Sequence, residues 1–464
     1  MIASRLPEGP QVLPLRQKLQ WLTNPLKLLE TYAQLYGDIF TIPIGLSNVP
    51  VVLISNPQGI QEIFNANSKQ LDSGKAAGIK PPFLGPQSLI ALSGNRHKQQ
   101  RKLLTPPFHG ERMRAYKQLI CNITKLVISR WKIGETFSVR SSMQEISFQV
   151  ILKAIFGLED GPRYQQLKQL LMTRLEGTES IFRIILLMFP VLQKDWGPLS
   201  PWGRLVHNEQ QINELIYAEI AERRKKPDSS RTDILSLMIA ARDETGEQMS
   251  DIELRDELIT LLVAGHETTA TSLAWAFYWI HYLPQVHEKL IQELDSLNEN
   301  HDSNALFQLP YLNAVCQETL RFYPVTTSAF QRVVKSPIKI MGYQLEPGTL
   351  LSPSIYLTHH REDIYPEPKK FKPERFLERQ FSPYEYLPFG GGNRRCIGMA
   401  FAQFEMKLVL ATVLSNWELK LADSKPVKPA RRGLLISPSE GVRMVVSGKR
   451  PQNQKVYEGI SSVV

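Results

Sequence analysis

The chain has 464 residues, of which 42% are hydrophobic and 22% are charged, a composition typical of a globular protein with enough apolar material for a large core. Its three cysteines, Cys121, Cys316 and Cys396, are too few and too widely spaced for a disulfide framework, and they indicate a reducing compartment. The formal net charge of +10 is spread along the sequence without an arginine-rich tract or a zinc finger, which argues against nucleic acid as a partner.

The basic balance and the N-terminus indicate where the protein works. Dispersed Lys and Arg residues predict a solvated basic surface, and the alternative is a basic patch that binds an acidic redox partner. Residues 1–14 (MIASRLPEGPQVLP) contain no apolar run long enough for a signal peptide or a membrane anchor. We therefore expect a soluble, cytoplasmic protein that is attached to a membrane at most peripherally.

Helices are predicted to dominate the chain up to Pro324. Residues 25–37 are typical of an amphipathic helix. Residues 38–55 contain two β-branched runs separated by a short polar stretch, and this pattern predicts a β-hairpin. Helical periodicity then extends from about Pro57 to Pro324, broken by glycine and proline clusters.

Short strands and one more helix are predicted beyond Pro324. A proline-rich stretch occupies residues 365–388, and a helix begins near Cys396. Residues 449–464 are polar and are predicted to form a flexible tail. Because β segments flank a helical body at both ends, we expect the two ends to fold together into a single domain of residues 1–448, mainly α with small β-sheets.

One long apolar helix is predicted in the middle of the chain. Ser250 and Glu253 form a capping-box pattern that begins it, and Pro284 follows its end. Its interior suits either a membrane span or a helix through the centre of a globular domain. Residues 265–269 (GHETT) lie in its middle, and they favour the second interpretation because a bilayer penalises an ionised glutamate.

The small and polar residues in the middle of this helix are predicted to line a site for a cofactor and to handle protons there. Ala264, Gly265, Thr268 and Thr269 lie at spacings of three and four residues, so we expect them to share a face. Small residues there leave room for a flat cofactor and a diatomic ligand. A threonine in mid-helix can donate to the carbonyl four residues earlier and open the helix to water, and Glu267 beside it can supply protons.

A glycine-rich loop precedes Cys396 in residues 388–398 (PFGGGNRRCIG). Glycines permit positive φ and a close approach of the chain to a flat ligand, and Gly398 is expected to allow tight packing at the start of the next helix. A cysteine at a helix N-terminus beside Arg394 and Arg395 should have a lowered pKa. These features suit a soft metal ligand or a nucleophile equally well, whereas an inert buried cysteine would explain neither the glycines nor the arginines.

The pattern Phe389-x-x-Gly392-x-Arg394-x-Cys396-x-Gly398 resembles the haem-binding signature of the cytochrome P450 family at every fixed position. This resemblance implies that Cys396 is the axial thiolate ligand of a haem iron. It also implies that Arg394 pairs with a haem propionate, and that Phe389 packs near the sulfur and helps to set its electron donation.

The string Ala264-Gly-His-Glu-Thr-Thr269 resembles the oxygen-activation motif of the same family. The resemblance assigns Thr268 to oxygen activation and Glu267 to the proton relay. It also places Ala264 and Gly265 against the haem.

Glu318, Arg321 and Arg375 resemble the Glu–Arg–Arg triad of the family, which gives them a structural role beneath the cysteine loop. Glu318 and Arg321, three residues apart, would otherwise indicate a surface ion pair of small energetic value. Three further residues resemble propionate contacts. They are His97, Arg101 and Arg332, and the alternative for each is exposed surface charge. Family members often carry tryptophan at the position of His97.

The resemblance covers almost the whole chain. Within the family, the chain is similar to soluble cyanobacterial members of the fatty-acid-hydroxylase-like branch. It implies a cytochrome P450 fold, a prism-shaped domain with haem b between the long helix and the cysteine loop. The implied activity is monooxygenation, in which one atom of O₂ enters the substrate and the other leaves as water. Because the sequence lacks a flavin or dinucleotide fingerprint and the cysteines of an iron–sulfur cluster, a ferredoxin- or flavodoxin-type donor is expected to supply electrons.

The substrate pocket is expected in residues 73–92, 181–191 and 325–330, whose apolar character suits a fatty acid or a terpenoid. The candidate pocket residues are Ile79, Phe83, Leu84, Phe182, Leu186 and Phe330. Two other classes of function stay open. A haem-thiolate peroxygenase or isomerase would need no electron donor, and a non-catalytic haem carrier or sensor would need no proton relay.

Overall fold

The computed structural model describes residues 6–10, 20–21, 23–44, 49–73, 84–108, 110, 112–158, 161–176, 193–197, 199–228, 230–297 and 305–450. The helices within them are α1 (Pro25–Tyr36), α2 (Pro57–Asn65), α3 (Gly94–Leu104), α4 (Arg112–Ile128), α5 (Val139–Phe156), α6 (Pro162–Glu176), α7 (Pro201–Lys225), α8 (Ile234–Ala240), α9 (Asp251–Tyr282), α10 (Pro284–Asp295), α11 (Ala305–Gln308), α12 (Pro310–Phe322), α13 (Ile355–His359), α14 (Arg375–Glu378) and α15 (Met399–Asn416). The strands are β1 (Ile39–Ile44), β2 (Val49–Ile54), β3 (Leu71–Asp72), β4 (Thr136–Ser138), β5 (Arg332–Val334), β6 (Ile338–Ile340), β7 (Tyr343–Leu345), β8 (Leu350–Pro353), β9 (Trp417–Leu421), β10 (Pro429–Arg432), β11 (Leu435–Pro438) and β12 (Arg443–Lys449). The predicted fold class, mainly α with small sheets, is confirmed.

Helix α9 is 32 residues long and begins at the predicted capping box. The Ser250 hydroxyl accepts from the Glu253 amide, and the Glu253 carboxylate accepts from the Ser250 amide. Most of its side chains are buried, so the helix passes through the globular core as expected. Among the described residues, no helix is long and apolar enough to cross a membrane.

The largest sheet joins distant parts of the chain in the order β1-β2-β8-β5-β3. Strands β1 and β2 pair antiparallel, with Ile39 opposite Ile54, which confirms the predicted hairpin; its turn, residues 45–48, lies outside the described residues. Strand β2 then pairs parallel with β8. The expectation that the two ends of the chain fold together is therefore confirmed.

A second sheet, β4-β12-β9, ends the described chain. Lys449 lies in β12 opposite Trp417, and the Arg450 amide donates to the Asn416 carbonyl at 3.0 Å. Main-chain pairing therefore continues two residues beyond the predicted boundary after residue 448. Residues 451–464 lie outside the described residues.

The main hydrophobic core surrounds α9 and includes residues of α4, α5, α12 and α15. Trp275 is fully buried at its centre and donates through Nε1 to the carbonyl of Ile436 in β11 at 3.1 Å. Two smaller clusters lie on the β1-to-β3 sheet and under α1. This packing fixes α9 between α5 and α15, the helix that follows Cys396.

Candidate functional site

The loop before Cys396 owes its path to its glycines. Gly390 and Gly392 have φ of 64° and 61°, the left-handed region that favours glycine. A Cβ on Gly391 would lie 2.1 Å from the Phe64 ring, so a side chain there would collide with it. The expected positive φ and close approach are confirmed, although the group approached within the chain is Phe64.

Cys396 lies just before α15, and its amide donates to the Phe389 carbonyl at 2.9 Å. Its side chain is accessible to solvent, yet burial raises the pKa of its thiol, against the amide of Gly398 and the charges of Arg101 and Arg395. The two observations agree if the sulfur lies in a recess walled by protein atoms. The lowered pKa expected from the sequence is therefore wrong for this chain by itself, because the loss of hydration outweighs the nearby positive charges.

Two other residues of the loop have simple surroundings. Phe389 is partly buried and packs against the main hydrophobic core. A Cβ on Gly398 would meet no atom within 4 Å. Tight packing at the start of α15 therefore does not require this glycine, contrary to expectation.

Four basic residues converge beside the cysteine loop, and we call them the basic cradle: His97 and Arg101 of α3, Arg332 of β5, and Arg394. Burial, followed by the charges of Arg394, Arg101 and Arg332, lowers the pKa of His97 to about 3. Asp72 is the carboxylate whose charge acts on His97, Arg332 and Arg394. The cradle thus concentrates positive charge and hydrogen-bond donors with little compensation.

Backbone contacts orient the cradle. Arg394 donates to the Leu89 carbonyl at 2.7 Å, and also to the Leu92 carbonyl and the Ser73 hydroxyl. Arg332 donates to the Phe330 carbonyl at 2.6 Å. Burial lowers the pKa of each of these two arginines to about 10, aided by the charge of Arg394 on Arg332 and by the charge of Arg101 on Arg394, so both remain charged at neutral pH.

The residues present fit a haem. His97 is buried, and its Nε2 has no hydrogen-bond partner among the described residues. An unpartnered buried donor costs free energy, and together with two buried arginines it suits a ligand that carries carboxylates. A sulfur ligand in a recess beside carboxylate-binding groups is the donor set that a haem requires.

Helix α9 presents a small open stripe near its middle. Ala264 is exposed and Thr268 partly exposed, and the Thr268 hydroxyl donates to the Ala264 carbonyl at 2.6 Å, as expected. Thr269 is buried and donates to Gly265, whose added Cβ would lie 3.1 Å from Ile151 of α5. The expected single face therefore divides, since Ala264 and Thr268 are open while Gly265 packs against α5.

Glu267 points to α5 and forms a partly buried ion pair there. Its carboxylate accepts from Arg140, from Gln144 at 2.9 Å and from Thr271 at 3.4 Å. His266 bonds to a neighbour, since its Nε2 lies 3.2 Å from the Gln144 carbonyl. Sequence reasoning missed Arg140 and Gln144, because they lie more than a hundred residues from Glu267 and match no motif.

The structure brings Glu318, Arg321 and Arg375 together below the loop. Arg321 donates to both carboxylate oxygens of Glu318 at 2.6 and 2.8 Å, and Arg375 donates to one at 3.2 Å. Glu318 and Arg321 are fully buried. The pair is therefore not a surface ion pair.

His359 of α13 is a further residue that sequence reasoning missed. Its backbone carbonyl accepts from Arg321 at 2.7 Å, and its Nε2 accepts from the Leu387 amide at 3.0 Å. Burial lowers the pKa of His359 to about 3, so the ring stays neutral and can accept. It thus links the triad to the residue that precedes the cysteine loop.

Two of the six candidate pocket residues lie within the described residues. Leu84 is buried in the main core, and Phe330 is 38% exposed. The other four lie outside the described residues: Ile79, Phe83, Phe182 and Leu186.

Comparisons with known proteins agree with this geometry. The cytochrome P450 family profile matches residues 7–445. The chain is 34% identical to a Mycobacterium tuberculosis protein named cytochrome P450 135B1, over 96% of this chain and 92% of that one, and 34% identical to cytochrome P450 138 of the same species, over 95% and 96%. The structure of cyanobacterial CYP120A1 with bound retinoic acid has the same fold, with a TM-score of 0.81, 24% identity and coverage of 96% and 100%.

Proposed function

The chain belongs to the cytochrome P450 family of haem-thiolate monooxygenases, and on this premise we propose that it oxygenates a fatty acid or a terpenoid with electrons from a ferredoxin- or flavodoxin-type protein. The single observation that carries the assignment of the site is the basic cradle, with its unpartnered His97 donor, beside the Cys396 loop. Haem b is the form of cofactor proposed.

Each residue around the cofactor has a proposed role. Cys396 is the sulfur ligand, and the iron would deprotonate the thiol whose pKa burial raises. The cradle residues hold the propionates, where two carboxylates would offset buried positive charge. When bound, the haem supplies the oxidising chemistry that the side chains lack.

Thr268 and Glu267 are proposed to handle protons. The Thr268 hydroxyl, on the open stripe of α9, donates to the Ala264 carbonyl, so its oxygen can accept a hydrogen bond from a proton-bearing group in the stripe. Glu267 is held by Arg140 and Gln144 on the α5 side of the same helix, where it would take up protons from solvent and release them again. Thr268 would then orient the group that receives each proton in the open stripe.

The apolar character of the expected pocket segments supports the proposed substrate class. Leu84 and Phe330 are apolar, and the segments around them carry few charges. Binding of retinoic acid by CYP120A1 makes that acidic terpenoid a useful probe beside fatty acids and neutral terpenes.

The test combines two spectra of the haem-loaded protein. The reduced carbon monoxide complex should absorb at about 450 nm if a thiolate is the ligand, and Cys396→Ser should abolish that band. Titration with the three substrate types should then shift the spin state of the oxidised haem. A normal carbon monoxide band without a spin-state change for any of them would leave the family assignment intact and remove the substrate proposal.

The electron donor is proposed to dock on the basic surface near Cys396. Arg395 and Lys98 are exposed, and Arg395 acts electrostatically on Arg101 of the cradle. Arg395→Glu should slow reduction by an acidic ferredoxin about tenfold at low salt and less at high salt, with Lys425→Glu, an exposed lysine between β9 and β10, as control. Equal reduction rates would contradict docking here, and turnover with peroxide but with no donor would favour a peroxygenase.

A further inference from the structure

Glu257 of α9 is a fully buried acid with no assigned role. Neither of its carboxyl oxygens has a hydrogen-bond partner among the described residues, and the same is true of the Gln100 side-chain amide nitrogen in α3. The Gln100 amide and the Leu89 backbone amide are near enough to lower the pKa of Glu257, but burial prevails and raises it to about 8. The side chain is therefore neutral at pH 7.

Residues 84–92 cover Glu257 and contact α9 through Gly85, Gln87 and Ser88. We call these contacts with Asp256 and Thr260 of α9 the seam. The Gln87 amide donates to the Asp256 carboxylate at 2.9 Å, and the Thr260 and Ser88 hydroxyls lie 2.8 Å apart. Gly85, with φ of 82°, approaches so closely that a Cβ would lie 2.1 Å from the Asp256 carboxylate. The seam thus encloses Glu257, and from this segment the Leu89 amide approaches its carboxyl group.

The opposite side of residues 84–92 meets the basic cradle. Arg394 donates to the carbonyls of Leu89 and Leu92, and His97 follows in the first turn of α3, its amide bonded to the Ser93 carbonyl. A movement of residues 84–92 away from α9 would therefore disturb two of the four cradle residues.

We propose that Glu257 is a positioning residue that, while protonated, lets residues 84–92 close on α9 and so holds Arg394 and His97 ready for the haem propionates. This inference rests on the proposed haem site for its consequence, but the closure itself concerns the protein alone. Ionisation of Glu257 would place a charge inside the seam, and the seam would open to hydrate it.

The charges around Glu257 favour this response. On its own helix, Asp256 and Glu253 repel an ionised Glu257. On α3, Arg96 is paired with Glu253 at 2.7 Å, and burial keeps His97 neutral. Residues 84–92 contain no ionisable side chain. Arg101 and Lys98 of α3 are also cations, but the charges that act most on Glu257 are those of Asp256 and Glu253, so hydration is the route by which an ionised Glu257 is stabilised.

The test is amide hydrogen exchange of residues 84–92 in the haem-loaded protein at pH 5.5, 6.5 and 7.5, expressed as protection factors so that intrinsic rates cancel. Between the usual pKa of 4.5 and the raised pKa of about 8, each pH unit weakens the closed state by up to about tenfold, so protection in the wild type should fall about tenfold between pH 6.5 and 7.5. Glu257→Gln keeps the shape and removes the charge, and its protection should not change with pH.

Glu405→Gln is the matched control. Glu405 of α15 is also buried, with its pKa raised to about 8, but it lies against Ser147 of α5 rather than the seam. This variant should keep the wild-type fall in protection at residues 84–92. In haem-loaded protein, transfer of haem to an excess of apomyoglobin should accelerate severalfold from pH 6 to 8 in the wild type but not in Glu257→Gln.

Constant protection in the wild type would overturn the proposal without the need for any variant, as would a fall that persists in Glu257→Gln. If protection changes as expected but haem transfer does not, the positioning of the cradle is refuted while the seam remains. Failure of the haem-loaded protein to show a thiolate spectrum would instead refute the proposed function, so the two failures are distinguishable.

Discussion

The region beneath the cysteine loop and the region around α9 treat buried carboxyl groups in opposite ways. Below the loop, Glu318 is fully buried but accepts from Arg321, Arg375 and the Lys372 amide. Near α9, Glu257 and Glu405 are equally buried, and burial raises the pKa of each to about 8. The first region therefore gives its buried carboxyl group cationic partners, whereas the second keeps two buried acids in their neutral form.

The region beneath the cysteine loop therefore serves as a structural support, whereas the region around α9 can respond to a ligand or a proton. The bonds of Glu318 tie α12 to Lys372 and to Arg375 at the start of α14, which holds this region in place. Around α9 several buried polar atoms have no partner within the part of the chain that the structure describes, among them His97 Nε2, the Glu257 oxygens and one Glu405 oxygen. Such atoms cost stability, and at a functional site they await a ligand, a proton or a movement.

The largest expected effect comes from breaking the paired region. Arg321→Met should lower the free energy of unfolding by about 3–5 kcal/mol, because Glu318 would remain buried without its main partner. Urea denaturation of the haem-free protein measures the loss. Lys102→Met is the control, since its pair with Glu244 is more than 70% exposed at both ends and should be worth at most about 1 kcal/mol. Similar losses in both variants would contradict the contrast between the regions.

Most of the fold followed from local signals in the sequence. Asn24 and Pro25 mark the start of α1, and the capping box of Ser250 marks the start of α9. Strand β4, only three residues long, was missed because it is too short for alternation to show. The end of β12 at Lys449 was missed because its pairing with β9 is a tertiary contact that the residue types alone do not reveal.

The candidate site was predictable where one motif carries it and not where distant segments meet. Cys396, Thr268 and the residues of the cradle stand in contiguous motifs. The partners of Glu267 on α5, and the seam over Glu257, depend on packing between segments far apart in the chain. The direction of the pKa shift of Cys396 was missed for the same reason, because burial depends on the whole fold.

The next largest effect is the pH dependence of stability that a buried, neutral acid causes. The pKa of Glu405 in the folded protein, about 8, lies above its usual value of 4.5, so the folded state binds the extra proton between these values. Stability from this group is full below about pH 4.5 and is lost as the pH rises to about 8. The free energy of unfolding of the wild type should therefore fall between pH 5 and 8, and Glu405→Gln should remove roughly 2–4 kcal/mol of that fall.

Urea denaturation at pH 5, 6.5 and 8 gives this slope for the wild type and the variant. Glu318→Gln is the opposing control, because it removes an acid that is paired, and it should destabilise at every one of these pH values. Parallel pH curves for the wild type and Glu405→Gln would show that Glu405 is hydrated or paired in solution, and the proposed contrast would fail for α15.

The smallest expected effect concerns the unpartnered donor of the cradle. His97→Phe removes Nε2 while it keeps an aromatic ring of similar size, so haem affinity should fall about tenfold, the value of one hydrogen bond to a charged group near 1.5 kcal/mol. His97→Trp retains a ring N–H and should stay within about threefold of the wild type. Fluorescence quenching on titration of the haem-free protein with haem measures both affinities. Because His97 is neutral at any pH well above its pKa of about 3, the ratio should be the same at pH 6 and 8. A ratio that vanished at the higher pH would mean that charge, not the ring N–H, is what His97 supplies.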